Sequence, residues 1–240
     1  MQRQKERDFL EQVKEVARQK NDTRLLALLN EATDNPEKSK FPDFLIEDGF
    51  IEHFQVSAAN ENKKGSAHNI AVNDFEKSSE LTFEKEKTKF LQSPSRVDPK
   101  IDTYDLRVIE QEMESPVYSY DGFICSFKRN FEKHIKSLKD YTGNKSIAIF
   151  LIEFVGANIS VYRNDQFISF YSLSMDREIL TYLNQYTKYL NFILFASADS
   201  YELLDLNTIP QLMNKIPQGL TFNIGRFIKE KLCLFIDMGG

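Results

Sequence analysis

The chain of 240 residues is 41% hydrophobic and 28% charged and carries a net charge of −5, the balance of a globular protein long enough for one large domain or two small ones. It has no run of about 18 apolar residues, so no membrane-spanning helix is expected. Its acidity argues against a surface coated by nucleic acid, while leaving room for a local basic groove.

The first residues, MQRQKERDFLEQVKEV, are charged from the start and lack an apolar h-region or a small-residue cleavage site, so a cytoplasmic location is expected. Phe9, Leu10, Val13, Val16 and Ala17 fall on one helical stripe and predict a helix over the first 20 residues. Asn21-Asp22 can cap a second helix, which carries Leu25, Leu26, Leu28 and Leu29 to about Ala32. Both helices are expected to cover one face of a sheet. Thr33 to Lys40, with Asp34-Asn35-Pro36, reads as a loop.

Residues 41 to 56, FPDFLIEDGFIEHFQV, are two apolar runs joined at Asp48-Gly49, and they predict a β-hairpin closed by a type I′ turn. That turn sets Glu47 opposite Phe50, Leu45 opposite Glu52 and Asp43 opposite Phe54, which points Asp43 and Glu52 to the same side. Two carboxylates on one face of an apolar hairpin are costly to bury without compensation. A hard divalent ion, Mg²⁺ or Mn²⁺, supplies it through oxygen ligands. The alternative is a wet face on which both carboxylates are simply solvated.

Ser57 to Gly65 (SAANENKKG) is a polar loop whose Lys63 and Lys64 either meet phosphate or stay solvated. A charged insertion spans about 57–100. Within it Ile70, Val72, Phe75, Leu81, Phe83 and Phe90 form a thin apolar stripe, suiting one or two surface helices that act as a lid, a partner surface or neither. Tyr104 to Met113 is a strand or a helix. Ser119 or Asp121 opens a helix to about Tyr141, with Phe123, Ile124, Phe127, Phe131, Ile135 and Leu138 inward and Lys128, Arg129, Lys133, Lys136 and Lys139 outward. Gly143 is expected to stop it in a left-handed conformation.

Ser146 to Phe154 (SIAIFLIEF) suits a strand buried on both faces. Hairpin, long helix and buried strand make a crossover unit, which sets the new strand parallel to a hairpin strand. Beyond it come a hairpin of Ile159–Tyr162 and Phe167–Tyr171, a helix capped by Asp176 and running to about Leu190, and a strand at Phe192–Ala196. Ser197 to Pro217 reads as loop and short helix, and Phe222 to Ile236 as a helical turn followed by a strand from Lys231. The expected fold is thus one α/β domain over 1–240: a central mixed sheet with an antiparallel hairpin and a crossover helix, flanked by helices. Cys125 and Cys233 sit in apolar segments and read as buried small hydrophobes. Neither they nor His53, His68 and His134 have metal-ligand spacing. No GxGxxG or GxxxxGK[ST] is present, so no nucleotide-binding loop is expected.

Pro42-Asp43, a short spacer and Glu52 within an apolar strand resemble the PD-(D/E)XK nuclease superfamily, the restriction-endonuclease-like fold. The resemblance implies a core of one helix, three antiparallel strands, a crossover helix and a fourth strand over roughly residues 4–155, although one leading strand is not evident. It implies that Asp43 and Glu52 ligate Mg²⁺ and that a Lys two positions on activates water. Phe54 stands at that Lys position. A slipped motif, His53-Phe54-Gln55, puts Gln55 there, a substitution the family tolerates, and calls for a one-residue bulge to turn Gln55 toward Asp43. Lys63 or Lys64 reaching back is the other route. Glu31 is the candidate for the acidic residue that the preceding helix contributes in this family. The implied activity is metal-dependent phosphodiester hydrolysis, on DNA more than RNA, in a restriction or phage-defence setting. The alternative is a nuclease fold that lost its Lys and serves as a binding or structural subunit, with residues 66–100 as the partner surface.

Overall fold

The computed structural model of the chain describes residues 2–37, 40–59, 66–95 and 104–235. Helices α1 (Gln2–Gln19) and α2 (Thr23–Asn30) open the chain. The Asp22 carboxylate accepts the Leu25 amide at 3.0 Å and so fixes the start of α2. Strands β1 (Thr33–Asp34), β2 (Phe44–Ile46) and β3 (Gly49–Ser57) follow, then α3 (Ser66–Leu91), β4 (Tyr104–Glu114), α4 (Tyr120–Asp140) and β5 (Ile147–Val155). The remainder is β6 (Asn158–Arg163), β7 (Gln166–Phe170), α5 (Arg177–Leu183), β8 (Phe192–Ala196), β9 (Tyr201–Asp205), α6 (Ile209–Met213) and β10 (Leu220–Phe235).

Two sheets result. The first is mixed, six strands in the order β1-β2-β3-β5-β8-β9, with β3, β5 and β8 parallel and the flanking pairs antiparallel. The second has four antiparallel strands in the order β4-β10-β6-β7. Alternation in β3 and β5 divides the apolar residues between two layers. Ile51, Ile149 and Leu151 meet Phe9, Leu10, Val13, Leu25 and Leu29 of α1 and α2. Phe50, Phe54, Val56, Phe150 and Ile152 meet the inward stripe of α4, together with Ile179 and Leu183 of α5. Helix α4 is the crossover between the parallel strands β3 and β5, and its first turn is capped by Ser119 Oγ, which accepts the Gly122 amide at 3.0 Å.

Several expectations change. The hairpin pairs Ile46 with Gly49 and Phe44 with Ile51, so the turn residues are Glu47 and Asp48 and the register moves by two. Positive φ is absent from this turn, so it is not type I′; the left-handed pair is Asn164 (φ 50) and Asp165 (φ 60), between β6 and β7. Gly49 serves close approach instead: a Cβ there would fall 1.7 Å from the Ile147 carbonyl oxygen of β5. A two-residue strand, β1, lies inside the segment read as a loop and pairs antiparallel with β2. Helix α4 gives way at Tyr141 to extended backbone (φ −69, ψ 131), and Gly143 is not left-handed.

The helix opened by Asp176 is α5 and ends at Leu183, followed by a 3-10 turn at Asn184–Tyr186. Strand β9 lies in the stretch read as loop, and Leu220–Phe235 is strand throughout, without a helical turn. Tyr104–Glu114 is strand, and α3 is one helix of 26 residues. Both cysteines are exposed rather than buried, because Cys125 lies on the outward side of α4 and Cys233 on the open side of β10.

The insertion is tied to the chain's end. Arg107 of β4 bonds Asp105 at 2.6 Å and donates to the carbonyls of Phe90 and Ser93 at 2.7 and 3.0 Å, closing the last turn of α3. Strand β4 in turn pairs with residues 225–235 of β10. Among the described residues no helix is long and apolar enough to cross a membrane.

Candidate metal centre

Strand β2 begins at Phe44, so Asp43 stands one position before it, beside Glu52 in register. Alternation along β3 then separates neighbours. Phe50, Glu52 and Phe54 face α4, whereas Ile51, His53 and Gln55 face α1. Asp43, at the bend, reaches both sides. Its amide donates to Glu52 Oε2 at 3.0 Å, and its Oδ2 accepts the His53 amide at 2.9 Å.

On the α1 side, Glu6, Asp43 and His53 each offer a ligand atom within 4.8 Å of the others. Glu6 and His53 are only 6% and 8% exposed. The His53 ring lies 5.3 Å from that of Phe9, and its Nε2 is 3.0 Å from Glu153 Oε2 on β5. Gln55 Nε2 donates to the same oxygen at 2.9 Å. A His53 that gives its Nε2 proton to Glu153 keeps its lone pair on Nδ1, the tautomer of a metal ligand supported by a carboxylate. On the α4 side, Glu52 Oε1 is 2.6 Å from His134 Nδ1, and the His134 ring stacks on Phe54 at 4.3 Å.

The electrostatics follow from burial. Desolvation, with Glu52 nearby, pushes the Asp43 carboxyl up to about 6. Burial pushes Glu52 up to about 8; hydrogen bonds from Asp43 offset part of this, and the Glu6 charge adds to it. Burial and the neighbouring Lys133 bring His134 down to about 4. Burial also works to raise Glu153, but hydrogen bonds from His53 and Gln55 outweigh it and hold that carboxylate below its ordinary value. Among the described residues, neither Asp43 nor Glu52 forms an ion pair with a lysine or arginine; the basic side chain within reach of Glu52 is the His134 imidazole. Two buried acids pushed toward their neutral forms beside a third acid and an imidazole make a place where a divalent cation is favourable.

Beyond Glu52, β2 no longer covers β3, and side chains close that edge. The His53 amide is taken by Asp43, Asn130 Nδ2 donates to the Gln55 carbonyl at 3.2 Å, and the Ser57 amide donates to Ser126 Oγ at 3.2 Å.

The structure therefore sets Asp43, just before β2, beside Glu52 and His53 of β3, and places Gln55 two residues beyond His53 on an unbulged strand, bonded to Glu153. Lys63 and Lys64 lie outside the described residues. Glu31 is exposed at the end of α2, and the buried helix carboxylate beside the hairpin comes from α1 as Glu6. Glu6 was legible in principle, since it continues the stripe of Phe9, Leu10 and Val13 one turn earlier, where an acid is out of place. His134 and Glu153 carry no local signal, being 82 and 100 residues from their partners. No protein-family model, curated protein or solved structure matches the chain.

Proposed function

We propose that the chain is a metal-dependent nuclease that hydrolyses phosphodiester bonds, in DNA more than RNA. The observation that carries this reading is the set Glu6, Asp43 and His53, the first and last buried and Asp43 half-buried, joined through Asp43 to the buried carboxylate of Glu52. Chain order supports a restriction-endonuclease-like core: α1, the antiparallel strands β1 to β3, the crossover helix α4 and the parallel strand β5. The oxygen and imidazole donors suit Mg²⁺ or Mn²⁺. Such an ion, when bound, would lower the pKa of a water and offset the charge of the scissile phosphate.

The chain's own residues do the rest. Glu153 fixes the His53 ring. Gln55 spends its Nε2 on the same carboxylate, which leaves its amide oxygen as an acceptor that can orient a water proton, in place of the family's Lys. Lys63 and Lys64, which follow β3 in the sequence, would meet substrate phosphate in this reading, and the setting is cytoplasmic restriction or phage defence.

The test is cleavage of plasmid DNA and of RNA with Mg²⁺ or Mn²⁺. Asp43→Ala abolishes cleavage, Gln55→Ala weakens it without weakening metal binding, and Ca²⁺ supports nucleic-acid binding with little turnover. Wild-type protein that binds no divalent ion and cuts neither substrate sinks the proposal in favour of a non-catalytic subunit. The observation favouring that second reading is the exposure of Ile70 (58%) and Leu81 (64%) on α3, which offers a protein partner an apolar handhold.

A further inference from the structure

Both oxygens of Glu52 are already engaged. Oε2 accepts the Asp43 amide at 3.0 Å and Oε1 meets His134 Nδ1 at 2.6 Å. The side chain is 7% exposed and directed to the α4 face of β3, and among the described residues the ligand atoms that converge within 4.8 Å of one another are those of Glu6, Asp43 and His53. His134 is held in turn by its stack on Phe54, with ring planes 12° apart, and Phe54 packs edge-on against Phe150 of β5 at 5.5 Å. A chain of fixed contacts thus runs from the sheet through Phe54, His134 and Glu52 to the main chain of Asp43.

Asp43 needs that support. It lies outside β2, where no ladder bond fixes its amide, and its carboxylate is turned across to the His53 amide at 2.9 Å. Asn35 holds the carbonyl side of the bend, its amide donating to the Asp43 carbonyl at 3.0 Å and its Nδ2 to the Pro42 carbonyl at 2.8 Å, while the Asp43 amide is held by Glu52 and its carboxylate by the His53 amide.

We propose that Glu52 is a positioning residue and not a metal ligand: with His134 it forms a brace that fixes the Asp43 main chain, so that the Asp43 carboxylate is aimed at the ion held with Glu6 and His53. This assignment rests on the metal reading of the site and goes beyond it by giving the second acid of the hairpin a different task. Glu52 thus faces one donor, the Asp43 amide, and one ring nitrogen of His134. An uncharged amide reproduces both contacts, with Oε1 accepting from Asp43 and Nε2 donating to His134. A carboxylate that ligates a hard cation has no such substitute.

Mn²⁺ titration of the full chain, followed by electron paramagnetic resonance, separates the two roles. Glu52→Gln keeps the wild-type affinity. Glu52→Ala, which releases the Asp43 amide, loses about 10-fold or more, the usual effect of removing a supporting partner behind a ligand. Asp43→Asn loses more than Glu52→Ala. His134→Phe keeps the stack on Phe54 but drops the bond to Glu52, and weakens Mn²⁺ binding relative to wild type. Equal loss in Glu52→Gln and Asp43→Asn, with far-ultraviolet circular dichroism unchanged, makes Glu52 a ligand and overturns the brace. Wild type that binds no Mn²⁺ overturns the metal reading itself, a different failure from the first.

Discussion

Glu52 and His134 are displaced from their ordinary protonation behaviour in opposite directions, and together they give the metal-free protein a characteristic dependence on pH. The carboxyl of Glu52 is raised from 4.5 to about 8 and that of Asp43 from 3.8 to about 6, so between those values the folded state holds protons that the unfolded state has lost. Stability therefore falls as pH rises through that interval. His134, lowered from 6.5 to about 4, does the reverse, because there the unfolded state binds the extra proton and stability rises with pH. The effects oppose one another up to about 6.5; from there to about 8 only Glu52 continues to act. In chelator, the urea midpoint should decline over that upper interval, with a slope of order 1 kcal/mol per pH unit at the steepest. Glu52→Gln should flatten it. A midpoint that holds or climbs between those values contradicts the protonation state assigned to the pair.

At the scale of elements, the helices α1, α2 and α4 and the strand β5 were legible because each carries a sustained apolar period and an end signal such as Asp22 or Ser119. What misled was glycine. Gly49 looks like a turn residue in Asp48-Gly49, yet it stands in the strand where β5 begins, and its missing Cβ admits the Ile147 carbonyl. Gly225 interrupts the strand signal of β10, yet it marks where that strand passes from β6 to β4, pairing with both Asn158 and Glu114. A Cβ there would lie 2.2 Å from the Met113 carbonyl oxygen. In both cases the reason for glycine is a neighbouring strand distant in sequence, which local pattern cannot show. Gly49→Ala should force β3 and β5 apart at their first pair and cost about 1–3 kcal/mol, in the range of other overpacked sites, read as a lower urea midpoint with an unchanged slope. A wild-type midpoint would mean that the backbone yields freely there. The site divides the same way: Asp43 and Gln55 lie within one motif, whereas Glu6, His134 and Glu153 join it only through packing across the sheet.

Across the whole molecule, the charged insertion is less separate than its composition suggests, since α3 rests on β4 and β4 shares a sheet with the final strand β10. The two ends of the chain thus belong to different sheets, α1 on the mixed one and β10 on the antiparallel one. Past Gly225, β10 pairs with β4 alone among the described residues, so the two strands form a ribbon with open edges. One face of that ribbon leans on α3, while Tyr104, Leu106 and Val108 on the other are 52%, 59% and 41% exposed. The parallel strands β3, β5 and β8 have helices on both sides. In deuterated buffer this contrast becomes a difference in clocks. Amides of β5 and β8 should acquire deuterium only through global opening, whereas those of residues 226–235 and of β4 exchange much earlier through local fraying. Equal protection of ribbon and central strands would show that the antiparallel arm opens only when the whole molecule does.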